Sequence, residues 1–398
     1  MPAPDHRTAP RTGDDRRDTN AATVLRTVLD HGPAARGRIA ALSGLSPAAV
    51  SRQVATLTGL GLLRERPDLA AGGGVGRPQL PLDIDTGTLA VAGVHVGVPF
   101  STVALLDLRG NVLCQEQLDN GGRTGPAVLE PLLRRLPAFL AAARRPLIGL
   151  GAVSGGAVDP ARGVTVRHVP LDWHELPLGP MLAGATGLPV RVDNHARALA
   201  ETEILYGLPA ARRSLLHLFV GHVVDAALGI GGLVHLGHRS ATGDIAHLRV
   251  AGSREPCDCG RRGCFGAAAS DTALYRDAAA AGVIERPDRN LMIAAVRSGD
   301  RRADRLVLRR ARMIGQVLAL LVDVVNPELV LLSETFAVLD PRYLDAVRHE
   351  AARRSRLFQE PEQLIAQRRG EDTLAVAGGT PVLSAVYRDP LRTVGPPR

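Results

Sequence analysis

The stretch RGRIAALSGLSPAAVSRQVATL, Arg36 to Leu57, decides how the N-terminal region reads. Arg36 to Leu42 reads as a short helix with Ile39 and Leu42 turned inward, and Ser43-Gly44-Leu45 as a tight turn. Ser46 then caps a second helix with Pro47 at its first position, where no amide is needed and the fixed φ is already helical. Val50, Val54 and Leu57 fall on one face of that helix. Two short helices joined by a glycine-bearing turn make a helix-turn-helix, whose second helix is free to enter the major groove of DNA. The outward positions Pro47, Ala48, Ser51, Arg52 and Thr56 are small or polar, as groove entry requires. Arg52 suits a guanine edge or a phosphate. Ser46 and Arg36 suit phosphate contacts, which position a protein without reading sequence. A plain helical hairpin competes on helix spacing alone, and the flanking segments weigh against it.

Upstream, Thr19 to Asp30 places Val24, Leu25, Val28 and Leu29 on a helical stripe that His31-Gly32-Pro33 ends. Downstream, Leu60, Leu62 and Leu63 lead into a Gly-rich hairpin, Ala70 to Gly76, which returns as Leu80 to Ile84: a wing. Gly76-Arg77-Pro78 follows, and Arg77 is either a thin minor-groove contact or part of a plain linker turn. Residues 19–85 are therefore expected to form a winged helix-turn-helix. The polar, Pro-rich residues 1–18 are expected to be a disordered tail.

At 398 residues the chain exceeds one ordinary core. With 45% hydrophobic and 22% charged residues it reads as soluble and globular. The formal net charge of +8 suits a polyanionic partner. All 48 basic residues are arginine, which excludes a lysine nucleophile or lysine phosphate clamp. No signal-peptide core and no run of about 20 apolar residues is present, so a cytoplasmic, membrane-free location is expected. Four cysteines, three of them between residues 257 and 264, do not make a secreted disulfide framework. The isolated Cys114 is expected to be a buried, inert core residue.

From Leu89 onward apolar strands alternate with glycine turns: Leu89–Val98, Ser101–Asp107 and Gly110–Leu118, then a helix from Gly125 to Ala143. Leu147–Val153, Pro189–Val192, Leu215–Val220 and Leu329–Leu332 read as further strands. Arg301 to Val325 reads as one long amphipathic helix. A βββαβα order used twice implies two α/β lobes with a cleft between them. The expected body spans 86–398, with lobe 1 at about 86–195 plus the C-terminal segment and lobe 2 at about 196–375.

These residues resemble the ROK family, which joins bacterial sugar kinases to repressors that carry a winged helix before a kinase-like body. Leu45-Ser46-Pro47-Ala48-Ala49-Val50-Ser51-Arg52 is similar to the family's recognition helix. Cys257-Asp258-Cys259-Gly260-Arg261-Arg262-Gly263-Cys264 is similar to its zinc loop, and His247 would complete a closed Cys₃His site for a structural Zn²⁺. The resemblance implies an actin/hexokinase-like, ribonuclease H-like body in two lobes. It also implies where kinase chemistry should sit, and there this chain departs. Asp-Ile-Gly-Gly-Thr reads His95-Val96-Gly97-Val98-Pro99. Asn-Asp-Ala-Asn reads Asn194-His195-Ala196-Arg197, so the catalytic aspartate is His195. Gly-Thr-Gly-Ile-Gly reads Gly221-His222-Val223-Val224-Asp225, and the adenosine-side Gly-Gly reads Ser333-Glu334. One lost base commonly costs roughly 10²–10⁴-fold, and here the nucleotide seat is altered as well.

The family's hexose-reading groups are partly replaced too. Asp244-Ile245-Ala246-His247 stands for Glu-x-Gly-His, Gly266 for the glutamate after the last zinc cysteine, and Pro170 for an asparagine. Asn194, His195, Asp244 and His247 remain as candidate ligand-pocket residues, and losing partners there leaves others unpaired. His217, His222, His235 and His238 are expected at the surface or between lobes rather than on a second metal.

The function expected is a sequence-specific DNA-binding transcriptional regulator, in the repressor class, whose body senses a sugar or other metabolite without kinase activity. It would bind double-stranded DNA at a palindromic operator as a homodimer or homotetramer. The alternatives are an active ATP-dependent sugar kinase with an appended DNA-binding domain, and a regulator that needs no ligand.

Overall fold

A computed structural model describes residues 13–69, 80–367 and 370–395. The first helix, α1 (Gly13–His31), starts within the segment expected to be a disordered tail: Gly13–Asp18 is helical, and Asp18 is buried. Helices α2 (Arg36–Ser43) and α3 (Pro47–Gly59) follow. Gly44 ends α2 at φ 69°, a left-handed conformation suited to glycine, and its N–H donates to the Ala40 carbonyl. Leu42 does not turn inward as its spacing suggested: α2 buries Ile39 and Ala40 and leaves Leu42 exposed. Strands β1 (Leu63–Glu65) and β2 (Leu82–Ile84) pair antiparallel, with Leu63 opposite Ile84. The wing tip, including the hairpin expected at Ala70 to Gly76 and Arg77, lies outside the described residues.

The body opens with β3 (Ala90–Val96), β4 (Phe100–Leu106) and β5 (Val112–Asp119), then α4 (Glu130–Ala141) and β6 (Leu147–Ser154). A small antiparallel sheet follows, β7 (Ala157–Asp159), β8 (Val164–His168) and β9 (Trp173–Leu176), then α5 (Leu178–Thr186), β10 (Val190–Asn194) and α6 (His195–Tyr206). After the short α7 (Ala210–Arg213), lobe 2 runs through β11 (Ser214–Val220), β12 (Val224–Ile230) and β13 (Leu233–Val234). Helices α8 (Phe265–Ala269), α9 (Asp271–Ala280), α10 (Arg289–Arg297) and α11 (Arg301–Val325) precede β14 (Leu329–Glu334), α12 (Thr335–Leu339), α13 (Pro341–Arg354) and β15 (Leu364–Ala366). The chain closes with α14 (Thr373–Arg388) and α15 (Pro390–Val394).

The two large sheets have the orders β10-β6-β3-β4-β5 and β13-β12-β11-β14-β15. In each, a three-strand antiparallel meander supplies one edge and two parallel strands the other. The duplication expected from element order is therefore a duplication of topology. Between the lobes run α6 and α14. Helix α14 lies so close on β3 and β6 that a Cβ on Gly93 would stand 2.6 Å from Gly379 N, and one on Gly151 2.2 Å from Gly378 O. Cys114 sits exposed on the outer strand β5, contrary to the buried position expected, because β5 turns successive side chains to solvent there.

One hydrophobic core joins the DNA-binding region to the body. Val24, Leu25 and Val28 of α1 pack with Val50, Val54 and Leu57 of α3. The same cluster includes Leu106, Leu205 and, from α14, Leu383 and Val386. Arg109 donates to Asp83 of the wing at 2.5 Å, and Arg212 donates to Asp30 of α1 at 2.7 and 2.8 Å. The winged helix and lobe 1 thus share one packed core, and α7 is tied to α1 by an ion pair. Among the described residues, no helix is long and apolar enough to cross a membrane.

Candidate functional site

Three places carry chemistry. The first is the outer face of α3. Ser46 caps it, its hydroxyl accepting from Ala49 N at 3.3 Å, a contact worth about 1 kcal/mol. Ala49, Val50, Gln53, Val54 and Leu57 are buried, which leaves Pro47, Ala48, Ser51 and Arg52 exposed. Arg36 is not a free cation. Its guanidinium donates to Glu65 on β1 at 2.8 Å, so a phosphate there must compete with the wing. Arg38 and Arg64 are also exposed on this domain. Their pattern carried no signal, since a lone surface arginine is common.

The second is the cysteine cluster. The candidate ligand atoms of His247, Cys257, Cys259 and Cys264 all lie within 4.8 Å of one another. Cys259 and Cys264 sulfurs are 3.6 Å apart, and Cys257 Sγ is 3.6 Å from His247 Nδ1. A tetrahedral Zn²⁺ with Zn–S near 2.3 Å sets neighbouring ligand atoms about 3.5–3.8 Å apart, so these residues fit a metal. Glycine turns build the loop: Gly260 and Gly263 both have positive φ, and a Cβ on Gly263 would stand 2.5 Å from the Ser253 carbonyl. The Arg261 guanidinium, donating to Cys259 Sγ at 3.5 Å, draws that thiol down to about 6, while burial pushes Cys264 up to about 11. Metal analysis of the purified protein should find about one zinc per chain, and Cys257→Ser should lose it. Full zinc occupancy in Cys257→Ser would remove this cysteine from the ligand set.

The third is the centre of the body, where β10 hands over to α6. Asn194 caps α6, its Oδ1 accepting from Ala196 N and Arg197 N at 2.7 and 3.2 Å. Its Nδ2 donates to Gly156 O at 2.7 Å and Asp225 Oδ2 at 3.2 Å. The amide is thus spent on protein at both ends. His195 is buried, with Nε2 3.1 Å from Asp225 Oδ2, its ring stacked on His95 and tilted over Phe219. Burial raises the Asp225 carboxyl, but His195, the Gly156 N–H and Asn194 together hold it below its ordinary value. Asp225 belongs to lobe 2 and Gly156 to lobe 1, so this carboxylate clasps the lobes. Arg197 is a second clasp: it donates to Val158 O of lobe 1 and Ser240 O of lobe 2 at 2.9 and 2.8 Å, and to Asp193 at 2.6 Å.

Of the residues expected to line a ligand pocket, Asn194 and His195 meet here. Asp244 is exposed, and no hydrogen bond among the described residues brings it to them. His247 faces the cysteines. His217 is not at the surface: it is fully buried against α6, donating from Nδ1 to Ala196 O and accepting at Nε2 from Ser333 Oγ, both at 2.9 Å. His235 and His238 are exposed. The buried Arg310 was not singled out from sequence. It donates to Glu334 at 2.6 Å, to Asp271 at 2.7 Å and to the carbonyls of Ala269 and Val220.

A winged helix-turn-helix packed onto a duplicated two-lobed α/β body, with a metal-competent Cys₃His loop, defines a DNA-binding regulator built on a kinase-like scaffold. The chain belongs to the ROK family: that family's pattern matches residues 91–380, and the IclR helix-turn-helix domain matches residues 19–67. It is a ROK transcriptional regulator with an N-terminal helix-turn-helix. It is 33% identical to Transcriptional regulator Rv0485 of Mycobacterium tuberculosis, over 94% of this chain and 87% of that one. It is 26% identical to the DNA-binding transcriptional repressor Mlc of Escherichia coli, over 85% and 87%. The crystal structure of a ROK family transcriptional regulator, a homologue of E. coli Mlc, superposes with a TM-score of 0.80 at 23% identity, covering 96% of this chain and 100% of that one. A ROK glucokinase from Streptomyces griseus shares the body fold, with a TM-score of 0.63 at 22% identity over 73% of this chain and 98% of that one.

Proposed function

We propose that this protein is a cytoplasmic repressor that binds a palindromic operator as a homodimer or homotetramer, responds to a small molecule through its body, and transfers no phosphoryl group. The observation that carries the reading is the capped, exposed face of α3, presented by a domain that shares a core with lobe 1. Arg52 reads a base edge, Ser46 and Arg36 meet phosphates, Pro47, Ala48 and Ser51 line the groove contact, and Arg77 enters the minor groove. A structural Zn²⁺ held by His247, Cys257, Cys259 and Cys264 fixes the loop that runs back into α8.

The absence of phosphotransfer is supported by what fills the kinase positions. His195 replaces the base and is buried against Asp225, which itself bridges the lobes. Glu334 is held by Arg310. Repression by effector release needs a ligand that binds the two lobe arrangements unequally.

The test is protection of genomic fragments by the full chain and by Arg52→Ala. Arg52→Ala should weaken the preferred site by about 1–3 kcal/mol, roughly 5–150-fold, and relax preference at one base position. Equal weakening on every fragment would reduce Arg52 to a phosphate contact. No preferred fragment at physiological salt would sink the regulator reading.

A further inference from the structure

At the centre of the body Asn194 is spent at both ends of its amide, Arg197 spans the lobes, and His195 Nε2 stands 3.1 Å from Asp225. A cleft of about 920 Å³ opens elsewhere, between the winged helix and the body. That volume lies within the range of small-molecule sites. Its walls come from α1 and the end of α2, from Arg212 of α7 and the C-terminal half of α6, from the Gly231-Gly232-Leu233 turn of lobe 2, and from α14 and α15.

The charges of this cleft are layered. Four arginines line it: Arg26, Arg212, Arg388 and Arg392, with side chains 25, 33, 49 and 60% exposed. Four acids line it as well, and three are recessed: Asp18 and Glu201 are 12% exposed and Asp30 14%, with Asp389 at 35%. The acids form a backing layer and the guanidinium edges face the opening. Asp30 is gripped by Arg26 at 3.1 Å and Arg212 at 2.7 Å, which fixes the inner pair. The outer pair is more exposed. Arg388 gives one Nη to Glu201, and Arg392 Nε stands 3.5 Å from both Asp18 and Asp389. Burial pushes the Glu201 carboxyl up, while Arg388 and the Ser384 hydroxyl pull it back down. Thr23 and Ser384 add hydroxyls, and the exposed Leu42 and Leu233 give the rim an apolar edge.

We propose that this cleft is the effector site and that it takes a small metabolite bearing a phosphate or carboxylate, seated on Arg388 and Arg392 with its carbon skeleton toward Leu42 and Leu233. The proposal rests on the regulator reading above. Guanidinium edges favour oxyanions by paired, charge-assisted hydrogen bonds. A ligand there touches α1 and the end of α2, lobe 2 and α14 at once, so a shift of any of these against the others changes its affinity, which is the condition for coupling.

The experiment is calorimetric titration of the full-length protein, without DNA, with four probes: inorganic phosphate, 3-phosphoglycerate, citrate and glucose. The same titrations are made on Arg388→Ala/Arg392→Ala, and operator binding is measured for both chains with and without each probe. The expected result is binding of at least one oxyanion and not of glucose, weakened about tenfold or more in the double variant, whose probe-free operator affinity is unchanged. Phosphate alone, a phosphorylated carbon skeleton, or a carboxylate identifies the source of the anion. Binding only of glucose, oxyanion binding that survives the double substitution, or no binding by any probe would overturn the assignment. Loss of probe-free operator binding in the double variant would overturn it too, by giving these arginines to the DNA backbone. A wild-type chain that binds an oxyanion and recognises no operator would sink the regulator reading and leave the site standing.

Discussion

Lowering the pH from 7.5 to 4.5 should remove several kcal/mol of folding stability from this protein, through histidines that the fold holds neutral. Burial pushes His168 and His217 down to about 4 from 6.5. Both are neutral in the fold. His217 donates to Ala196 O and accepts from Ser333 Oγ, and His168 Nδ1 accepts from Leu171 N at 3.2 Å. Protonating either would strand a charge without an acid in bonding reach, next to the His195 ring. The unfolded chain protonates first, near 6.5. Stability is therefore fully present above that pH and is lost as pH falls toward 4, by about 3 kcal/mol for each residue. His95 shifts the same way for the same reason, burial first and then His195 and His168. Asp225, held below its ordinary value, adds its own loss only below about 3.8. The measurement is urea unfolding at stepped pH for the native chain and for His217→Gln, which keeps both hydrogen-bonding functions without titrating. The native chain should lose at least about 5 kcal/mol across the window, and the variant about 2.5 kcal/mol less than the native chain. Parallel curves for the two would show that His217 does not carry the effect, and a flat native curve would show that neither histidine is held neutral.

How much of this was legible in the sequence follows from what each feature depends on. The helix-turn-helix is local: Ser46, Pro47 and the spacing of Val50, Val54 and Leu57 determine α3 within one segment, and α3 spans Pro47–Gly59. The cysteine loop is also local, and its spacing alone brings three sulfurs together; His247 joined them through the resemblance to the family's motif. Arg301–Val325 kept both its expected ends, because Asp300 caps the start and Asn326 takes the left-handed position at the end.

What failed was long-range or depended on which side of an element faces out. Leu42 follows a helical stripe, yet α2 is too short to bury two turns. Cys114 looks like core, yet the strand that carries it lies at the edge of its sheet. Strand β12 was hidden, because its first residues, Val224 and Asp225, read as a degenerate phosphate loop rather than as a strand. The substitutions at the kinase positions were visible one by one. Their mutual contacts, Asp225 with His195 across the cleft and Arg310 with Glu334 inside lobe 2, join residues 24 to 30 positions apart and carry no periodic signal.

Arg310→Met should cost about 3–5 kcal/mol, the range for breaking a buried ion network by removing one partner. Arg310 is 2% exposed, as deep as any charged side chain in lobe 2, and four groups accept its N–H donors. Methionine fills most of the volume but leaves the carboxylates of Asp271 and Glu334 buried without a counter-charge. The Ala269 and Val220 carbonyls lose a donor as well. Arg310→Lys keeps the charge and should lose less, though a single ammonium cannot serve the whole fork of acceptors. Adding Asp271→Asn and Glu334→Gln to Arg310→Met should return part of the loss, because the stranded charges go with their partner. This network occupies the stretch where the family's kinases keep a glycine pair on the adenosine side. If this chain lacks the nucleotide seat, as proposed above, a non-hydrolysable ATP analogue should not raise the melting temperature of the native chain. Denaturant unfolding of the three variants measures the first expectation. Arg310→Met within 1 kcal/mol of the native chain would show that the acids find other partners, and nucleotide-dependent stabilisation would show that the adenosine side is still open.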